Sequence, residues 1–236
     1  MCIRDSPGVV LFLERLNEVL ANGLCYGMSA SVANHFLGHK ASELSEYMEK
    51  QGQESVFEIN IGKGDELEHY IAKLHMMQFS EEYRNELENY IEKSPNQIVE
   101  ELMKYFNLVN SIPMPPYTLA LYSEHGGHSI TPIGIEKTDI GYKIKVYDSN
   151  WPLESRWVYV DSERETWTLQ ASQNPQSQED LWTGVGPGSM TLIPHHIPQE
   201  GSAHCFFCEL TGEEMPEGKA TGSVIIVNSA DISNTV

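Results

Sequence analysis

The stretch Asn22-Gly23-Leu24-Cys25-Tyr26-Gly27-Met28-Ser29 decides how the rest of the chain is read. Gly23 interrupts one helical pattern, and a second begins near Cys25 and runs to about Leu37. Met28, Val32, Ala33 and Phe36 fall on one face of it at helical spacing. Gly27, Ser29, Ala30 and Ser31 fill its first turns, and such small residues let a helix lie close against a sheet. The stretch therefore predicts a central buried helix with a cysteine at its start. Free backbone amides at a helix start favour an anion, so the thiolate form of that cysteine is favoured there.

Outward from this point the chain divides into a helical half and a strand half. Upstream, Val10, Leu13, Leu16, Leu20 and Leu24 predict an amphipathic helix over 9–20. Downstream, 64–107 reads as more helix, with Leu67, Ile71, Leu74 and Met77 as one stripe and a second segment over 83–91. Ser94-Pro95 then introduces a third segment over 98–106, Ser94 as N-cap and Pro95 at the first helical position. Pro113, Pro115 and Pro116 end the helical half. After them come short runs rich in β-branched and aromatic residues, over 117–122, 129–136, 142–147, 156–160 and 166–169, while 172–180 is polar and loop-like. Helices first and antiparallel strands second predict an α+β fold.

Three residues in this layout have complementary chemistry. Cys25 enters a helix, His128 follows Gly126-Gly127 at the start of one strand, and Asp148 closes the next strand in Tyr147-Asp148-Ser149-Asn150. A thiolate attacks carbonyl carbon, an imidazole shuttles the proton, and a carboxylate or amide fixes the imidazole. With a hairpin connection at Asp139-Ile140-Gly141, the end of the second strand returns beside the start of the first, which is expected to set Asp148 opposite His128. Asn150, two residues further into the turn before Pro152, is the substitute for the orienting role. Each residue also has a plain reading: an inert buried thiol, a structural histidine at a strand end, a turn carboxylate. An oxyanion hole needs a donor besides the Cys25 amide, and Asn22 and Asn17 are the upstream candidates.

Gly-Leu-Cys-Tyr-Gly-Met-Ser-Ala from 23, Gly-Gly-His-Ser from 126 and Val-Tyr-Asp-Ser-Asn-Trp-Pro from 146 together resemble the papain-like cysteine peptidase superfamily in its bacterial, bacteriocin-leader-peptidase-like branches. The resemblance spans roughly residues 9 to 170. It implies a central cysteine-bearing helix packed on an antiparallel sheet that carries the histidine and its partner. It also implies hydrolysis of an amide bond through a thioester, with Cys25, His128 and Asp148 in the catalytic roles and no cofactor. One departure is plain: the family usually has glutamine six residues before the cysteine, and position 19 here is valine. A transferase using the same thioester, and an inactive papain-like binding module of a larger protein, are the alternatives.

Composition narrows the partners. Fifteen Lys and Arg against thirty-four Asp and Glu give a net charge of −19, which disfavours nucleic acid and anionic membrane surfaces. No apolar run is long enough to span a bilayer, so no membrane insertion is expected and the expected partner is a peptide or amide substrate. Four cysteines in 236 residues are no disulfide framework. Cys205 and Cys208, with His204, have the spacing of half a structural zinc site, and two plain thiols or a disulfide are the alternatives. Residues 1–6 read as a non-native scar, 7–194 as the papain-like domain, and 195–236 as the start of a truncated β-rich extension ending in Gly222-Ser-Val-Ile-Ile-Val-Asn228.

Overall fold

The computed structural model describes residues 23–37, 48–52, 66–79, 81–108, 117–151, 154–171 and 179–195. The sequence-based readings at 1–6, at 9–20, at Asn17 and Asn22, and at 196–236, including His204, Cys205 and Cys208, lie outside these residues. The described elements follow in order: α1 (Cys25–Phe36), α2 (Glu66–Met76) running into a 3₁₀ turn (Met77–Phe79), α3 (Glu81–Glu88), α4 (Pro95–Leu108), then β1 (Tyr117–Ser123), β2 (Gly126–Lys137), β3 (Gly141–Tyr147), β4 (Arg156–Asp161), β5 (Thr166–Ala171), β6 (Asp180–Val185) and β7 (Met190–Pro194). The mixture is α+β, as the sequence pattern predicts. Among the described residues no helix is long and apolar enough to cross a membrane.

Local sequence explains where α4 starts. The Ser94 hydroxyl accepts from the Gln97 backbone amide (3.5 Å), and the Gln97 side chain accepts from the Ser94 amide (2.9 Å). This reciprocal box satisfies two donors that a helix start otherwise leaves unpaired, and Pro95 costs nothing where no intrahelical donor is needed.

All pairings in the sheet are antiparallel, in the order β6-β5-β4-β3-β2-β1-β7. The sequence reading stopped at β5, and its polar loop runs into two strands it did not anticipate. β6 and β7 occupy the two ends of the strand order, yet only residues 186–189 join them. So short a connection spans at most about 17 Å extended, so the sheet curls until its ends meet. The Tyr122 amide donates to the Ser189 carbonyl (2.9 Å), and the Trp167 indole donates to the same carbonyl and to the Ser189 hydroxyl (3.1 Å each), holding that closure.

Two cores result. Ile98, Val99 and Leu102 of α4 pack into the concave face of the sheet with Leu119, Leu121, Ile144 and Trp167. On the other face Tyr26 and Ala30 of α1 cluster with Leu67, Ile71 and Leu74 of α2, Tyr83 of α3, and Ala120 and Ile193 of the sheet. The middle of β1 is therefore covered on both faces, and Leu119-Ala120-Leu121 there is a continuous apolar run. β4 to β6 alternate instead and leave Tyr159, Leu181 and Val185 on the surface.

The small residues of α1 serve two neighbours rather than the sheet alone. A Cβ at Gly27 would collide with the Ile71 carbonyl and touch the His75 Cβ, so the close approach at Gly27 is to α2. Ser29 is the residue that meets the sheet. Phe36, expected on the apolar face, is half-exposed at the far end of α1. We expect Gly27→Val to lower stability by about 2–3 kcal/mol through overpacking against rigid backbone, and Phe36→Ala to change it by less than about 1 kcal/mol. Denaturant midpoints of the two variants measure both.

Candidate active site

Cys25 is the first residue of α1. Its N-cap, Leu24, offers no side-chain acceptor, and no acidic side chain occupies the first turn. The amides there are thus left for another anion, and the backbone amide of Tyr26 bonds to the Cys25 sulfur.

The helix meets β2 where that strand has no second strand partner among the described residues. β3 ends with Tyr147 paired to Thr131, so among the described residues 126–130 pair only with β1. Ser129 turns its backbone to α1 instead. Its amide bonds to the Cys25 sulfur, and its carbonyl accepts from the Ser29 hydroxyl at 2.7 Å. Two residues on, the Thr131 hydroxyl donates to the Ser29 carbonyl at 3.1 Å. The Ser129 hydroxyl donates to Thr118 on β1 (3.2 Å). These buried bonds fix the height of α1 along β2 one helical turn from Cys25.

The same register sets His128 beside Cys25. The thiol and the imidazole are hydrogen-bond partners. The His128 Nε2 lies 3.0 Å from Asp148 Oδ1, which leaves Nδ1 for the sulfur. Asp148 is not directly opposite His128, contrary to the hairpin expectation. Continued past Tyr147, the register would set Asp148 beside Ile130 and Asn150 beside His128. The chain turns first, with the Trp151 amide donating to the Asp148 carbonyl (2.9 Å), and the carboxylate reaches His128 on a diagonal. Asn150 contributes its backbone, donating its amide to the same Oδ1 at 2.9 Å. Its side chain is not what the imidazole bonds to.

Exposure differs sharply across the three. His128 is 4% exposed and Asp148 0%, while Cys25 is only partly covered. Burial by itself pushes the Cys25 thiol up, but the hydrogen bond and charge of His128 and the amides of Ser129 and Tyr26 outweigh it, and the thiol is held below its ordinary value. Burial by itself pulls His128 down, but the hydrogen bonds and charges of Asp148 and Cys25 push it up to about 10. Both shifts favour a thiolate–imidazolium pair at neutral pH. Because His128 is raised from 6.5 to about 10, its proton contributes stability that is full below pH 6.5 and fades as pH climbs towards 10. Cys25 has the opposite sign: its contribution fades as pH falls through the lowered thiol value.

Two further residues complete the surroundings: Trp182, one of the aromatics after Trp151 that the sequence offers for a cleft or for packing, and Arg156, which sequence reasoning did not single out. Trp182 of β6 meets the His128 ring edge-on with centroids 6.0 Å apart, and the His125 ring stacks on Trp182 at 5.7 Å. Arg156 of β4 lies over the Trp151 ring at 4.2 Å, pairs with Glu179 through both terminal nitrogens (2.8 and 3.1 Å), and feels the Asp148 charge. Nothing local in the sequence places either residue there, because each reaches the site through strand pairing alone. Among the described residues no group of three or more His, Cys, Asp or Glu is arranged to hold a metal ion.

No family model, curated protein or solved structure matches the chain.

At about pH 5.5 an ordinary thiol is only about 0.1% thiolate, so iodoacetamide at that pH should label Cys25 well ahead of Cys205 and Cys208, and Cys25→Ala should remove the label. Persistent labelling of that variant at the same rate would place the reactive thiol elsewhere. Asp148→Ala should slow the reaction at least about tenfold by withdrawing one unit or more of pKa support. Asn150→Ala, which keeps its backbone amide, should change it by less than about twofold. Alkylation rates of the folded variants decide the order.

Proposed function

We propose that the chain is a papain-like thiol hydrolase that cleaves an amide bond of a peptide, with its cysteine helix set on the antiparallel sheet in the manner of that superfamily. The observation that carries this reading is the continuous path Cys25–His128–Asp148, in which the nucleophile is only partly covered and the two groups behind it are buried. A merely structural cysteine has no need of a protonated imidazole, and a buried imidazole–carboxylate pair is costly unless a further group uses it.

The steps follow from these atoms. The Cys25 thiolate attacks the carbonyl carbon, and the electron pair of the C=O bond moves to oxygen. The Cys25 amide at the start of α1 is one donor to that oxyanion; Asn22 remains the candidate for a second. As the C–N bond breaks, His128 gives its proton to the departing amine and leaves a thioester on Cys25. Neutral His128 then takes a proton from water, hydroxide attacks the thioester, and the acid departs as the thiolate returns. Asp148 holds the ring through Nε2 so that Nδ1 serves both proton transfers.

A peptide mixture with hydroxylamine as the competing nucleophile tests the reading. The wild-type protein should form peptide hydroxamates, and Cys25→Ala should lose turnover by a factor on the order of 10⁶. Turnover that survives in Cys25→Ala would end the thioester mechanism, and a wild-type protein that binds peptides without turnover would make it a binding module.

A further inference from the structure

We propose that the half-exposed ring of Tyr122, lying on the bare backbone of Gly127 beside Cys25, is a subsite for an aromatic or bulky apolar side chain next to the bond under attack. This deepens the hydrolase reading and rests on Cys25 being the nucleophile. The placement comes from strand register. Leu121 pairs with His128, and Tyr122 pairs with Gly127 immediately before it. Side chains alternate along β1, so Tyr122 shares the face of Ala120, which packs in the cluster containing Tyr26 of α1 and Tyr83 of α3. Tyr26 directly follows Cys25, so Tyr122 lies on the side of the sheet that the start of α1 covers. Gly127 contributes no side chain, and a Cβ there would stand 3.2 Å from the Tyr122 ring, so the ring rests directly on backbone.

What singles out Tyr122 is its exposure. Tyr26 is 2% and Tyr83 6% accessible, whereas Tyr122 is 42% accessible. An apolar ring left open beside a reactive thiol has a face to offer a ligand, and binding clefts are mostly apolar with a few placed polar groups. Burial first, and then the Cys25 charge, raise the Tyr122 hydroxyl above its ordinary value, which agrees with its nearness to the sulfur. The side chain accepted is therefore one with an apolar or aromatic body that can lie against the Tyr122 ring.

Two small alkylating agents with the same reacting carbon test this. N-methyl-2-iodoacetamide and N-benzyl-2-iodoacetamide each form one sulfur–carbon bond to Cys25 and release iodide. The readout is the benzyl-to-methyl rate ratio at Cys25 divided by the same ratio for free cysteine, so a general change in thiol reactivity cancels. Wild type should prefer the benzyl reagent by about five- to tenfold. Tyr122→Ala should bring the ratio to about one, and Gly127→Val, which displaces the ring, should lower it as well. Tyr122→Phe should keep the ratio, as should Tyr159→Ala, a change at an exposed aromatic on β4. A wild-type ratio near one with both reagents labelling Cys25 overturns the subsite and leaves the hydrolase reading standing. A preference that survives both Tyr122→Ala and Gly127→Val also overturns it. Failure of both reagents to label Cys25 overturns the nucleophile and the subsite together.

Discussion

Where β3 stops, the edge of β2 away from β1, from Gly126 to Ile130, has no strand partner among the described residues, and α1 lies there. An unpaired run of backbone donors and acceptors inside a fold is costly, so the helix must satisfy them. Ser29 does so with its hydroxyl, which donates to the Ser129 carbonyl, while its own carbonyl accepts from the Thr131 hydroxyl. Ser129 spends its remaining donor on the Cys25 sulfur. The proximity of Cys25 and His128 is thus a by-product of edge satisfaction. A helix shifted by one residue along β2 would lose the Ser29–Ser129 and Thr131–Ser29 bonds together and would carry Cys25 away from His128.

Electrostatics then follow from geometry. The Asp148 carboxylate is wholly buried, and its Oδ1 is shared by the His128 ring and the Asn150 amide. Its Oδ2 has no hydrogen-bond partner among the described residues, and neither do the nearby Trp151 Nε1 and Arg156 Nε. A buried carboxylate so placed is stabilised by the field of charges around it, here His128 on one side and Arg156 on the other. Trp182 and the β-strand core keep water from the imidazole–carboxylate bond, and lower screening strengthens that bond. The partly covered thiol inherits the result as a lowered pKa.

Much of the fold was legible because local rules sufficed. The helix beginning at Cys25, the stripe Leu67-Ile71-Leu74, the start of α4 at Ser94-Pro95 and the first five strands are all set by short-range periodicity, capping and turn residues. β6 and β7 were not legible. Their residues, Asp180–Val185 and Met190–Pro194, are short, and β7 pairs with β1, some seventy positions earlier in the chain. Strand pairing over that distance has no local signature, and neither has the curl that brings Trp182 to His128.

The sequence by itself determined the reactive groups and their order along the chain: Cys25 at a helix start, His128 at a strand start and Asp148 at a strand end. Residue type fixes which atoms can donate, accept or attack, and neighbouring glycines and turn residues fix where elements begin. Tertiary structure decided the rest. It set Asp148 on a diagonal to His128 rather than opposite it, brought the Asn150 backbone amide onto the same carboxylate oxygen, turned Gly27 towards α2, and buried the imidazole and carboxylate while leaving Cys25 only partly covered. The reason is that register, burial and pKa are properties of contacts between segments far apart in the chain. Those contacts are settled by which unpaired edges and apolar faces must be covered when the sheet closes.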